Sequence, residues 1–254
     1  MVYFTHDYTS MTSCKNNFLV GTAKLAKKHG VSNMVAVCPV EHDFAYSETE
    51  TTWVEKRQEA EKEALTANGS LSILNTDLVY GPDASHLVHY MQQCAMTGKI
   101  NDAFVSGTTA QFKPVSQDDL VTAIKYARDT GLSGQYAVRG STPVTIRELM
   151  TLVEGSCGKQ EGQTTAQRQL PLLPPLRMLE EFFFGMGIDT NMAEMLIYFN
   201  ENQEEPVTGE SLWEKAGVSP ETDLKQFFSK QRLQDDEERL VLPTFGSYKI
   251  GYTD

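Results

Sequence analysis

Met34-Val35-Ala36-Val37-Cys38 is an apolar run without polar alternation, the pattern of a strand covered on both faces, as in a parallel sheet. A helical stretch at 51–67 follows, with Trp53, Ala60, Ala64 and Ala67 on one side and Asn68-Gly69 at its end. Leu71-Ser72-Ile73-Leu74-Asn75-Thr76 then reads as a second strand. Two strands joined through a helix pair in parallel by default. Upstream, Phe18, Leu19, Thr22, Ala23, Leu25 and Ala26 recur at helical spacing. Lys24, Lys27, Lys28 and His29 fall in the last turns of that helix, where cations suit its dipole, and Gly30 stands at the stop position. Helix, strand, helix, strand over residues 13–77 is the signature of an α/β protein.

The alternation continues downstream. Tyr80-Gly81-Pro82-Asp83 is a turn beyond the carboxyl end of the second strand. Residues 84–97 space Leu87, Val88, Met91 and Ala95 as a helix does, and 100–112 are irregular around Gly107. Ser116-Gln117-Asp118-Asp119 and Thr145-Ile146-Arg147-Glu148 each have the form of a capping box that opens a helix. Gln135-Tyr136-Ala137-Val138 lies between them as a strand. Beyond Gly155 the character changes. Residues 156–170 are rich in Gln, Gly and Thr, and 170–199 are strongly apolar with Pro171, Pro174 and Pro175 near their start. Ser219-Pro220 reads as the N-cap and first residue of a helix carrying Leu224, Phe227 and Phe228.

Charge and composition exclude several functions. The chain of 254 residues has a net charge of −12, half of it between residues 200 and 254, where 12 acidic side chains meet 6 basic ones. No basic patch stands out, so nucleic acid is not an expected partner. No window reaches 18 uninterrupted apolar residues, which excludes a membrane-spanning helix. Cys14, Cys38, Cys94 and Cys157 are widely spaced, as thiols of a reducing compartment are. His86 and His89 lack a third ligand at any informative spacing, so no metal site is expected. Residues 1–12 show neither an apolar signal core nor an Arg-rich presequence.

The stretch from Phe18 to Gly30 leading into Val35, the helix with Trp53 and Arg57, and Asp77-Leu78-Val79-Tyr80-Gly81-Pro82 together resemble the extended short-chain dehydrogenases. Phe112-Lys113-Pro114-Val115-Ser116 and Gly134-Gln135-Tyr136 continue the pattern. The apolar, Pro-containing segment, the acidic helix and the aromatic tail look like the NADPH-binding, dehydrogenase-like accessory subunits of mitochondrial respiratory complex I. The resemblance implies the C-terminal half of a Rossmann-like, doubly wound parallel sheet, with a small, mostly helical C-terminal subdomain and an extended tail. The expected boundaries are 1–155, 156–239 and 240–254. It further implies the matrix side of the inner membrane, and other subunits of a large respiratory complex as partners.

That superfamily's chemistry uses a Tyr as general acid/base, a Lys four residues on, and a Ser or Thr near the end of the preceding strand. Trp53 and Arg57 stand at the first two positions here. An indole exchanges no proton near neutral pH, and a guanidinium stays charged. Pro39 stands about where the hydroxyl belongs, and none of the ten tyrosines has Lys four residues later. No residue is therefore assigned as catalytic, and a pseudoenzyme is expected. The Gly-rich turn of the superfamily lies in a βαβ unit before the matched region. The first glycine here is Gly21, mid-helix, and Gly185-Met186-Gly187 lacks a third glycine and a preceding strand.

Half a sheet would leave an open edge of unpaired N–H and C=O groups. A separate polypeptide supplying the first half is thus expected, and with it an NADPH held jointly, since this chain alone holds no complete cofactor site. Arg57 would reach ribose or phosphate, with Thr76 and Leu78 near the nicotinamide end. Arg57 four residues before Glu61 equally fits an exposed i,i+4 pair. Residues 170–199 form either a subdomain core or a docking face that contacts a neighbour or the membrane surface. Phe245, Tyr248 and Tyr252 are expected interface anchors. The rival reading is an active NAD(P)-dependent epimerase or reductase with displaced catalytic residues.

Overall fold

The computed structural model describes residues 1–4, 17–39, 53–81, 111–158, 207 and 209–230. Neither strand read from the apolar runs has a face in water: all six residues of β2 (Met34–Pro39) and all six of β3 (Leu71–Thr76) are buried. They pair in parallel, Met34 opposite Leu71 and Pro39 opposite Thr76. A strand ahead of them, β1 (Val2–Phe4), pairs with β2 in parallel, Val2 opposite Val35. Three residues are too few to show a period, so β1 leaves no signature in the sequence.

The first crossovers are α1 (Asn17–Lys28) and α2 (Trp53–Ala67). Beyond β3 come β4 (Val79–Tyr80), β5 (Gln111–Phe112), β6 (Val115–Ser116) and α3 (Gln117–Thr130). Then follow β7 (Gly134–Val138), β8 (Val144–Thr145) and α4 (Ile146–Ser156). The last described elements are β9 (Glu210–Ser211), α5 (Leu212–Ala216) and α6 (Leu224–Lys230). The main sheet has the order β1-β2-β3-β7-β9, every neighbour parallel. It is the α/β, Rossmann-like architecture expected from the sequence. The predicted helix at 84–97, the apolar segment 170–199 and the tail at 240–254 lie outside the described residues.

Alternate residues of the strands feed two cores. On one face Met34, Ala36, Leu71 and Ile73 pack against Leu19, Ala23 and Ala64 of α1 and α2. On the other, Val35, Val37, Leu74 and Val138 meet Leu120 and Ala123 of α3, together with Trp213 of α5. Burial of a side chain of this size contributes about 1.5–3 kcal/mol. No helix among the described residues is long and apolar enough to cross a membrane.

Local chemistry sets the helix ends. Gly30, at φ 67°, closes α1, with its N–H on the Lys27 carbonyl and the Val31 N–H on the Ala26 carbonyl. That pair of bonds is the Schellman arrangement, which needs a left-handed residue at this position. Thr145 and Glu148 cap α4 reciprocally, as the spacing predicts. Ser219-Pro220, in contrast, does not start the last helix. α6 begins at Leu224, and Asp223 Oδ1 accepts the Gln226 N–H at 2.8 Å.

The reason lies in Asp119 of α3. Its carboxylate accepts from the Glu221 N–H (3.0 Å), the Thr222 N–H (3.2 Å) and the Ser116 hydroxyl (2.7 Å). These bonds hold residues 221–222 out of the helix. The Tyr80 hydroxyl donates to the Thr222 carbonyl at 3.0 Å, and the Tyr80 ring meets Phe227 at 5.0 Å between centroids. Asp119→Ala leaves two backbone donors and the Ser116 hydroxyl without their acceptor. We expect a loss of about 2–4 kcal/mol in urea unfolding, and faster proteolytic cleavage near residue 222 than in the parent chain.

Candidate functional site

Open parallel sheets bind ligands beyond the carboxyl ends of their strands. Pro39, Thr76 and Val138 end β2, β3 and β7 in one register row. Asp77 and Arg139 follow directly. The Thr76 hydroxyl is fully buried, and its Oγ1 has no hydrogen-bond partner among the described residues. Asp77 is also buried. Its Oδ1 accepts the Leu78 N–H and its Oδ2 the Lys113 N–H, each at 2.7 Å. Its own N–H reaches the Val138 carbonyl at 3.4 Å. Asp77 thus ties three segments together at the rim of the sheet.

Around it the packing is close. Gly140 donates its N–H to the Lys113 carbonyl at 2.8 Å, and a Cβ there would stand 1.8 Å from the Pro114 carbonyl oxygen. Only glycine fits. Arg139 donates through Nη2 to the Val207 carbonyl, and the Trp213 indole donates to the Arg139 carbonyl at 2.6 Å. Burial pushes the Asp77 carboxyl up to about 6, against the opposing pull of the two N–H bonds and the Arg139 and Lys113 charges. The Tyr80 phenol is raised as well, by burial first and then by the Asp119 and Asp223 charges. That direction leaves it protonated near neutral pH.

The expected site residues fall as follows. Thr76 and Leu78 flank Asp77, and the Leu78 side chain is wholly buried. Arg57 lies on α2, one turn before Glu61, its side chain outside the described residues. Phe245, Tyr248, Tyr252, His86 and His89 also lie outside them. Among the described residues, no group of three or more His, Cys, Asp or Glu could hold a metal ion.

One reading needs correction. Glu61 is not an exposed partner for Arg57: it is buried, and its Oε2 accepts from Gln135 Nε2 (2.6 Å) and Asn75 Nδ2 (3.4 Å). Its place between Ala60 and Ala64, on the inner face of α2, was the available signal. Asp77 was the site residue that pattern reading passed over. An acid at the end of an otherwise buried run was its only mark.

The sheet order runs in one direction from β1 to β9, so the described strands contain no point where the order reverses. Dinucleotides bind at such a reversal, which places any crevice at or beyond the outer side of β1. The crossovers at 5–16 and 40–52 contain no glycine, so neither fits a pyrophosphate that must approach the backbone closely. A groove of about 600 Å³, lined by Gln58, Lys62, Leu65, Thr66 and Gln135, lies beside α2. Gln135 sits near the start of β7, so this groove is away from the carboxyl rim.

No protein-family model and no curated protein matches the chain. Solved structures do. The Bordetella bronchiseptica enzyme WbmG, in complex with NAD and UDP, aligns with a TM-score of 0.57 at 14% identity, over 89% of this chain and 69% of that one. A dTDP-4-dehydrorhamnose reductase from Bacillus anthracis str. Ames, in complex with NADP, gives 0.57 at 13% identity, over 90% and 79%. Against UDP-N-acetylglucosamine 4-epimerase from Bacillus cereus (TM-score 0.48, 12% identity) the chain spans 62% of that enzyme's length. At these identities the likeness is one of fold.

Two measurements follow from the rim. The Asp77 carboxyl titrates at about 3.8 when unfolded and about 6 when folded, so the folded state holds its proton more tightly. Its contribution to stability is complete below pH 4 and is lost as pH rises through 6, by about 3 kcal/mol in all. Urea midpoints taken between pH 4 and 7.5 should fall accordingly, and Asp77→Asn should flatten that part of the profile. Thr76→Val removes a buried hydroxyl that bonds to nothing described, so we expect stability to rise by about 1 kcal/mol.

Proposed function

We propose that this chain is a catalytically silent, dehydrogenase-derived accessory subunit of mitochondrial NADH:ubiquinone oxidoreductase, complex I, on the matrix side of the inner membrane. Its work is assembly and stability. A second polypeptide supplies the first half of the nucleotide-binding fold, and any NADPH is structural and held by both chains.

The observation that carries this reading is the end of β2. Pro39 is buried there, beside Thr76 on the next strand, where a reductase of this architecture needs an exposed hydroxyl. Trp53 and Arg57, in the first turns of α2, cannot supply the proton relay either. The glycine-free crossovers support a cofactor shared with another chain rather than one held here. The placement in complex I draws its support from the sequence resemblance of residues 156–254.

The rival, an active NAD(P)-dependent epimerase or reductase, has one feature in its favour: a carboxyl near pH 6 at the sheet rim. Both oxygens of Asp77 already accept backbone N–H groups, and the residue is sealed from solvent. A general acid must point its proton at a substrate.

The test uses the native assembly. Depleting the chain should lower the amount of assembled complex I on native gels and leave NADH oxidation per assembled complex unchanged. The isolated chain should not oxidise or reduce nicotinamide cofactors with UDP- or dTDP-sugars. Cofactor turnover that disappears in Asp77→Asn would overturn the reading in favour of the enzyme.

A further inference from the structure

The margins of the described fold are protected everywhere but on one flank. At the β9 edge the strand is two residues long and carries exposed Glu210, with Lys215 Nζ 4.0 Å away. Short, charged strands of this kind discourage further pairing. The exposed side chains of α2 are Gln58, Glu59, Lys62, Glu63 and Thr66, all polar. At the opposite edge, Val2-Tyr3-Phe4 has neither charge nor proline, and Val2 is 42% exposed.

The helix over that edge repeats the exception. Phe18 and Leu25 of α1 are 55% and 56% exposed. They stand seven residues apart, two turns on a single stripe. Lys24 donates to Glu63 of α2 at 2.9 Å, which marks the side of α1 that faces α2. At 3.6 residues per turn, Phe18 and Leu25 lie roughly 100–120° further round, turned away from α2. Both helices cover the same face of the sheet, and α1 joins β1 to β2 while α2 joins β2 to β3. The side of α1 away from α2 is therefore the side of the β1 edge. A bare apolar strand and a bare apolar helix stripe share one flank.

Resting on the reading that a second polypeptide completes the sheet, we propose that this flank is its seat. That polypeptide places a strand parallel to β1 and packs an amphipathic helix on Phe18 and Leu25. Every strand pair of the main sheet is parallel, and parallel strands come with crossover helices that cover their faces. Charge defines the helix further. α1 has no acidic residue, and exposed Lys27 and Lys28 lie near the stripe. The partner helix carries Asp or Glu beside its apolar face. A second copy of this chain would instead set lysine against lysine.

The experiment places benzoylphenylalanine at position 18 or 25 of the full chain within its native assembly, with positions 58 and 122 as exposed controls on α2 and α3. After irradiation, positions 18 and 25 should cross-link to one peptide of a different polypeptide, an apolar helix with acidic flanks, and the controls should not. The double variant Phe18→Asp, Leu25→Asp should recover at least tenfold less chain in the native-size assembly, with the circular dichroism of the purified chain unchanged. Lys27→Glu, Lys28→Glu should weaken recovery in the same direction. Cross-links to a second copy, to lipid, or to the same peptides as the controls would overturn the proposal, as would full recovery of the double variant. Cofactor turnover by the assembly would defeat the silent-subunit reading and leave this surface standing. Full recovery of the variant would do the reverse.

Discussion

A parallel sheet with no face in water cannot form ahead of the layers that cover it. β2 and β3 are buried along their whole lengths, so the sheet, the α1–α2 layer and the α3 layer stabilise one another or not at all. This constraint explains why the chain returns to the sheet so late in its sequence. Glu210 and Ser211 close the outer side of β7. Gly209, at φ 116°, lies so near that strand that an added Cβ would stand 3.2 Å from its backbone at Ala137. Trp213 then fills the α3 side of the core and fixes the Arg139 carbonyl. A segment more than fifty residues from α4 is thus part of the same packed body.

Buried carboxylates do the joining. Glu61 links α2 to β7 through the Gln135 amide, Asp119 links α3 to residues 221–222, and Asp77 links β3 to the β5–β6 turn. An apolar pair could supply as much energy at each point, but not the same register, because N–H and O–H donors fix position to a few tenths of an ångström. Of the three acids, Asp77 is the one whose carboxyl is driven upward, since burial there outweighs two N–H bonds and two nearby cations.

The central sheet was open to reading because its residues obey one rule each: unbroken apolar runs for doubly covered strands, a glycine after the cationic turn of α1, a Thr–Glu box before α4. β1 escaped because three residues carry no period. The start of α6 was misread because Ser219-Pro220 satisfies a local preference that Asp119, a hundred residues earlier, overrides. Glu61 was taken for a surface residue because charge usually marks solvent, although its neighbours Ala60 and Ala64 already pointed inward. At the rim, Thr76 and Leu78 were found by their place at a strand end. The carboxylate between them was not, because its partners are backbone N–H groups that composition does not reveal.

The fold and the reaction it is known to host elsewhere depend on different numbers of residues. The two cores draw on dozens of apolar side chains spread over several elements, so single substitutions there cost a few kcal/mol and leave the architecture intact. Proton transfer at the rim depends on a few groups set within hydrogen-bond reach of one another. Trp53, Arg57 and Pro39 satisfy helix and strand as well as the reactive groups would, and demand no strained geometry in return. A dehydrogenase sheet can therefore lose its chemistry at no cost to its shape. What remains is a rigid frame whose unprotected margin, β1 with the Phe18–Leu25 stripe, lies where a nucleotide crevice would have to be completed.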